Sequence, residues 1–198
     1  MNPDLDHIIL GCRDLEEGIA YIEKLSGYRA AFGGCHVGRG TQNALLKMGQ
    51  GSYLEILAPD PNQDGPRWHT NIVELTEPAL IGWALKASGL EALAVSFRKR
   101  GILVAGPTAG SRTTPDGDVL RWSTLSHIND REGILPFYIE WDRTSKHPAE
   151  NAPGACLLLE FQDAGQLRAS LAGRKGKFEL SGSSIRSEFP AAQNSPVR

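Results

Sequence analysis

The sequence predicts an α+β protein built from two βαβββ units, and three observations carry that prediction. A strand, a helix cap, a helix and a stopping glycine occur twice in the same order. The first copy is the run HIILGC, then Asp14-Leu15-Glu16-Glu17 and an amphipathic stretch ending at Leu25, with Gly27 as the stop. The second is Trp83 to Ala87, then Ser88-Gly89-Leu90-Glu91 and an amphipathic stretch that ends before Gly101. Both helices therefore open on a capping-box pattern, in which a short polar side chain and a following Glu satisfy orphan amide protons. Finally, each half closes on Tyr, an aliphatic residue and Glu, as Tyr53-Leu54-Glu55 and Tyr138-Ile139-Glu140. A unit of roughly 55 to 65 residues is too small to stand well alone. Two of them share a core by placing their sheets side by side.

The remaining elements follow in order. In module one, residues 1–60, strand-like pieces lie at Tyr28 to Phe32, Asn43 to Met48 and Tyr53 to Leu57, with a turn at Gly49-Gln50-Gly51. Residues 61–80, punctuated by Pro61, Pro66 and Pro78, read as a connector. Module two, residues 81–143, continues with Ile102 to Ala105, a loop rich in Gly, Pro and Thr, Val119 to Leu125, and Phe137 to Trp141. A C-terminal α/β extension over 144–180 is expected to hold a strand at Cys156 to Phe161, a capped helix at Asp163 to Ala172 and a strand at Lys177 to Leu180. From 181 to 198 the composition turns to Ser, Gly, Pro and Asn, the mark of a flexible tail.

Bulk composition narrows the function. Of 198 residues 40% are hydrophobic, and the formal net charge is -2. No basic field recruits nucleic acid. Cys12, Cys35 and Cys156 are odd in number and far apart, with no CxxC pair, so neither a disulfide framework nor a zinc ribbon is indicated and a reducing cytoplasm fits best. The opening MNPDLDH is acidic where a secretion signal is basic, and no apolar run approaches the roughly 20 residues of a membrane span. The expectation is a cytoplasmic protein with a small-molecule substrate and neither nucleic acid nor membrane as partner; a homodimer stays open.

Three residues stand out as chemistry. His7 sits in an apolar strand, where an imidazole needs a hydrogen-bond partner, such as Glu55, or a metal. Residues two apart share a strand face, so Tyr53, Glu55 and Leu57 point one way, and Tyr138 and Glu140 share a face opposite Phe137, Ile139 and Trp141. A carboxylate in mid-strand must be paired, protonated, metal-bound or turned to a wet cavity. Two at matching repeat positions suggest one shared cavity.

The segments LDHIILGCRDLEEGIAYIEKLSGY, GGCHVGRGTQNALLKMGQGSYLEILAPDP and LPFYIEWD followed by HP resemble a glyoxalase-like domain of the vicinal oxygen chelate superfamily, over roughly residues 5 to 148. The resemblance implies paired βαβββ modules that curl into a cup. It further implies a divalent metal (Mn, Fe, Ni, Zn or Mg) held by residues on the first and last strands of each module and chelating a substrate through two adjacent oxygens. Carried over, the ligands are His7, Glu55 and Glu140. The fourth position falls on Ile81 or Gly82, which cannot ligate.

Further candidates surround these. His36, in the glycine-rich GGCHVGRGTQN, is a fourth ligand, a general base, or simply the anchor of its own loop. Asn43 can orient a neighbour or contact substrate. Arg112 and Trp122 could clamp an anionic or flat substrate, and His147 could line the cup mouth. His69 and His127 read as solvated loop residues. Cys35 beside His36 is a poor nucleophile candidate because neighbours in extended chain point apart. The functional expectation is a metal-dependent lyase, isomerase or dioxygenase acting on a small oxygenated substrate, with Glu55, Glu140 and His36 as catalytic groups. The alternative is a metal-free protein that binds or sequesters a small molecule in the same cup.

Overall fold

The computed structural model describes residues 5–49, 51–63, 72–130, 134–163 and 165–182. Module one is β1 (Leu5–Gly11), α1 (Leu15–Ser26), β2 (Ala31–His36), β3 (Thr41–Lys47) and β4 (Tyr53–Pro59). Module two repeats it as β5 (Ala79–Lys86), α2 (Leu90–Lys99), β6 (Val104–Thr113), β7 (Val119–His127) and β8 (Phe137–Trp141). A short 3-10 turn at Ile72–Glu74 lies in the connector. The predicted tail beyond Gly182 and His69 fall outside the described residues.

The two modules join along antiparallel β1 and β5, and the sheet order is β1-β4-β3-β2-β6-β7-β8-β5. The expected cup is in fact a closed barrel. Closure depends on a seam of two residue pairs between β2 and β6, Cys35 with Thr113 and His36 with Arg112. The Gly-, Pro- and Thr-rich stretch that reads as a loop from sequence is largely strand β6, because its pairing with β7 and β2 overrides weak propensity.

Burial follows strand parity. The outer face of module one, through Ile8, Leu10, Leu46, Leu54 and Ile56, packs on Ile19 and Ile22 of α1 and on the C-terminal sheet. Smaller clusters join α2 to the outer face of module two, through Leu90, Phe97 and Leu125. Each helix is started differently. Asp14 caps α1, its side chain accepting from the Glu17 amide at 3.0 Å, and Gly27 closes the helix at φ 77. The expected Ser88 cap is not used at α2. Gly89 occupies the cap position with no side chain to offer, and a carboxylate from another strand takes over, as described below.

The C-terminal extension also departs from expectation. After a single helical turn α3 (Pro148–Asn151) come three strands, β9 (Leu157–Gln162), β10 (Arg168–Gly173) and β11 (Gly176–Ser181). The second half of the segment predicted as a helix is thus β10. Ala169 and Leu171 are buried while Arg168 is exposed, a period of two, and β10 pairs on both sides. Among the described residues no helix is long and apolar enough to cross a membrane.

Candidate functional site

The inner face of module one is polar where its outer face is apolar. His7 on β1 and Glu55 on β4 turn into the barrel, and the His7 Nε2 to Glu55 Oε2 distance is 3.5 Å. A third ionisable group, Asp6, joins them. Strict alternation would send Asp6 outward, but the β1–β5 register slips between Leu5 and His7, so Asp6 is the extra residue of a bulge. Leu5 therefore stays in the outer core and both Asp6 and His7 face inward.

Asp6 is fully buried, and its carboxylate collects three donors. His7 Nδ1 lies 2.7 Å from Oδ1, while His147 Nε2 at 2.9 Å and Trp141 Nε1 at 3.1 Å reach Oδ2. Burial alone would raise this carboxyl. The hydrogen bonds from His147 and His7, together with their charges, outweigh it and hold Asp6 well below the ordinary carboxylate range. Its ionised form fixes one His7 tautomer, with the proton on Nδ1 and Nε2 turned to Glu55. The His7 ring nitrogen and the Glu55 carboxylate thus lie face to face in the barrel interior.

Glu55 is steadied from the other side. Asn43 Nδ2 donates to its Oε1 at 2.6 Å and lies 3.3 Å from His36 Nε2. His36 Nδ1 in turn meets Thr41 Oγ1 at 2.9 Å. Burial lowers the His36 pKa, so the ring is neutral with Nε2 as acceptor. The Asn43 amide group must face Glu55, which leaves Asn43 Oδ1 buried without a hydrogen-bond partner among the described residues. Arg112, from β6, is buried inside the barrel and donates to the Gly33 carbonyl. A Cβ on Gly33 would come within 2.6 Å of both Asn43 Oδ1 and Arg112 Nη1, so one of these side chains would have to move.

The structure thus brings together His7, Glu55, Asn43, His36 and Arg112 in one interior. Trp122 and His147 border it, with the His36 and Trp122 rings edge-on at 6.0 Å and the Trp141 and His147 rings at 5.6 Å. Glu140 does not join them. Its strand face is opposite that of Phe137, which packs edge-on against His7 at 5.5 Å. Instead Glu140 accepts from the Gly89 amide at 2.9 Å and the Leu90 amide at 3.2 Å, capping α2 from outside the barrel. The matching Tyr-x-Glu ends conceal a one-residue offset in which face looks inward, and such an offset sends a side chain to the other side of a sheet.

The metal expected from the resemblance was to be held by His7, Glu55 and Glu140. With Glu140 engaged at α2, module two supplies no carboxylate, and its inward strand positions are filled by residues such as Phe137 and Ile81. No group of three or more His, Cys, Asp or Glu among the described residues is arranged to hold a metal ion. The donor set does not fit a divalent metal. The cysteines are free thiols. Burial pushes Cys12 up to about 12 and Cys35 up to about 11, against any nucleophilic role. His127, at the end of β7 and not in a loop, packs against Phe97 and Tyr138 on the α2 side.

Asp6 is the buried ionisable residue of this site that pattern reasoning passes over. The signal was present: a second ionisable residue in an apolar strand, next to His7. Only the bulge, which no pattern displays, turns it inward.

Comparisons with known proteins agree with this architecture. The family model described as glyoxalase-like domain matches residues 5–176. No curated protein matches significantly. Among solved structures, a hypothetical protein from Staphylococcus aureus superposes with a TM-score of 0.56 at 16% identity, covering 91% of this chain and 86% of that one. A methylmalonyl-CoA epimerase from Streptomyces coelicolor, solved with 2-nitronate-propionyl-CoA, gives 0.52 at 20% identity over 72% of this chain and 97% of its own. The methylmalonyl-CoA epimerase from Mycobacterium tuberculosis gives 0.50 at 22% over 69% and 87%. These likenesses establish the paired-module fold, and with the family match over most of its length the chain belongs to the glyoxalase-like domain family.

Proposed function

We propose that this protein is an enzyme of the lyase or isomerase type that moves a proton on a carbon next to a carbonyl of a small oxygenated substrate. The observation that carries this is the row Asp6, His7, Glu55, in which a buried carboxylate fixes His7 so that its second nitrogen faces a second carboxylate. A polar row of this kind is expensive to bury. The outer faces already supply the core, so packing does not demand it.

In this scheme Glu55 is the base that takes the proton and His7 is its partner across the 3.5 Å gap. Asn43 holds Glu55 in register, and the Arg112 charge steadies the oxyanion that develops when the C–H bond breaks. His36 is an uncharged acceptor beside them, and Trp122 and His147 border the substrate. A metal-assisted or dioxygenase version has the family's resemblance in its favour but finds its donors, His7, Glu55 and the His36 ring, on module one alone, in no arrangement among the described residues that could hold a metal ion. No step is assigned to a metal.

The test is solvent-hydrogen exchange. The purified protein, after chelator treatment, is incubated in D2O with a panel of small α-hydroxy and α-keto carbonyl compounds, and deuterium at the α-carbon is followed by proton NMR. Exchange is expected with at least one compound, and Glu55→Gln should lower it by about 100-fold or more. Exchange that appears only when a divalent metal is restored, or that survives Glu55→Gln, contradicts the proposal. A second reading, sequestration of a small molecule, is favoured by the aromatic pair Trp122 and Trp141, with ring centroids 5.4 Å apart. It predicts saturable binding with no exchange for any compound.

A further inference from the structure

We infer that the cleft lined by the Trp122–Trp141 wall is a binding site for an oxyanion, a carboxylate or phosphate carried on a flat or apolar body, and that it holds the remote end of the substrate. This deepens the proposed function and rests on it only for the identity of the ligand as substrate. The cleft has a volume of about 800 Å³ and lies among the turn after β2, β6, β7 and the end of β8. A space of that size suits a drug-sized molecule better than a three-carbon one.

Its lining is unusual for a chain of net charge -2, because Arg39, Arg121 and Arg143 all contribute to it. Among the described residues none of the three has a carboxylate within ion-pair distance, whereas Arg29, elsewhere on the surface, is paired to both Glu16 and Glu23. The two acids of the cleft are already committed. Glu140 caps α2 with both oxygens. Asp142 feels the charge of Arg121, but its Oδ1 is occupied by the backbone amide and hydroxyl of Thr144. Three guanidinium groups with no acid bonded to them are a receptor for an oxyanion, which their planar forks bind in bidentate fashion.

The cleft also adjoins the interior row. Trp122 and Trp141 line it; the Trp122 ring meets His36, and the Trp141 indole donates to Asp6. The wall is thin at Gly110. A Cβ there would come within 2.6 Å of the Trp122 indole nitrogen, so the ring lies directly across the backbone of β6. The Arg39 guanidinium reaches the carbonyl of neighbouring Ala109 at 3.4 Å and ties the turn after β2 to this rim. A substrate anchored by its anion in the cleft would lay its flat body along the tryptophans, the two rings that also meet His36 and Asp6.

The test uses 1-naphthyl phosphate, 1-naphthoate and uncharged 1-naphthol as probes, titrated into the full chain by calorimetry. The two anions should bind at least about tenfold more tightly than naphthol, and their affinity should fall as salt rises. Arg143→Ala and Arg39→Ala should each weaken anion binding about tenfold and leave naphthol binding unchanged. Arg143 is exposed and Arg39 half-buried, and unfolding midpoints equal to the parent's show that the variants are folded. Equal affinity for charged and neutral probes, no binding of any probe, or anion binding untouched by both substitutions overturns the inference. Absence of anion binding in the parent protein with α-carbon exchange intact counts against the cleft alone. Absence of exchange with anion binding intact counts against the proton-transfer proposal alone.

Discussion

The two walls of the barrel come from two copies of one βαβββ pattern, yet they carry different chemistry. Module one turns Asp6, His7, Asn43 and Glu55 inward, each buried and each in a hydrogen-bond or ion-pair chain. Module two turns Trp122, Phe137 and Trp141 inward, with Arg112 as its one buried charge among the described residues. The repeated fold thus places its buried carboxylates and imidazole on one half, and the other half supplies shape and a cation. What matters is which face of each last strand looks inward: in β4 it is the face of Glu55, and in β8 it is the face opposite Glu140.

That contrast can be broken most severely at Asp6. Asp6→Ala leaves His7, His147 and the Trp141 indole without their acceptor in a dry interior, and the loss should be about 3 kcal/mol or more in denaturant unfolding. A cost under about 1 kcal/mol would show that the row is solvated and loosely held. Next in size is Gly33→Ala, whose added methyl meets Asn43 on β3 and Arg112 across the β2–β6 seam. Overpacking of this kind should cost about 1–3 kcal/mol and displace Arg112. On the module-two side, Glu140→Ala removes only a helix cap and should cost about 1 kcal/mol. Proton exchange should be unaffected.

The smallest effect is a pH dependence of stability. Burial lowers the His36 pKa, with Glu55 facing the ring from β4, Arg112 from β6, Arg39 from the turn after β2 and His7 from β1. Its stabilising contribution is present above the unfolded value of 6.5 and is lost as the pH falls from there toward the lowered folded value. Asp6 acts in the same direction in a lower window, complete above 3.8 and lost below it. Unfolding midpoints measured from about pH 7.5 to about pH 5 should therefore decline, by no more than about 1.4 kcal/mol per pH unit for the single proton involved, and His36→Gln should flatten the slope. Stability that rises on acidification would contradict the neutral, buried ring.

Much of the fold was legible because hydrophobic period and turn residues report local structure directly. Asp14 and Gly27 bracket α1 as read, and β8 runs over the same residues that its apolar run suggests. The paired units follow from their repeat. The failures share another cause, which is that pairing partners are remote in sequence. The stretch from Pro107 to Thr113 looks like a loop until β7 and β2 are beside it. The segment from Arg168 to Gly173 becomes a strand only between β9 and β11.

The same lesson governs the site. His7 and Glu55 could be chosen from sequence because a charge or imidazole amid apolar neighbours is conspicuous, whereas Asn43 and Arg112, in glycine-rich and polar stretches, stand out only by what their side chains can hold. Glu140 was conspicuous for the same reason and yet serves α2, whose own cap position holds a glycine. Asp6 depends on a one-residue bulge set by the β1–β5 register. Neither the glycine's need nor the bulge shows in a strand's own alternation.

One measurement bears most directly on the asymmetry between the modules: α-carbon deuterium exchange compared side by side for Glu55→Gln and Glu140→Gln. The module-one site predicts that Glu55→Gln loses about 100-fold or more while Glu140→Gln stays within about twofold of the parent protein. Equal, severe losses in both would mean that the two carboxylates act together on one centre, which contradicts a reactive row confined to module one.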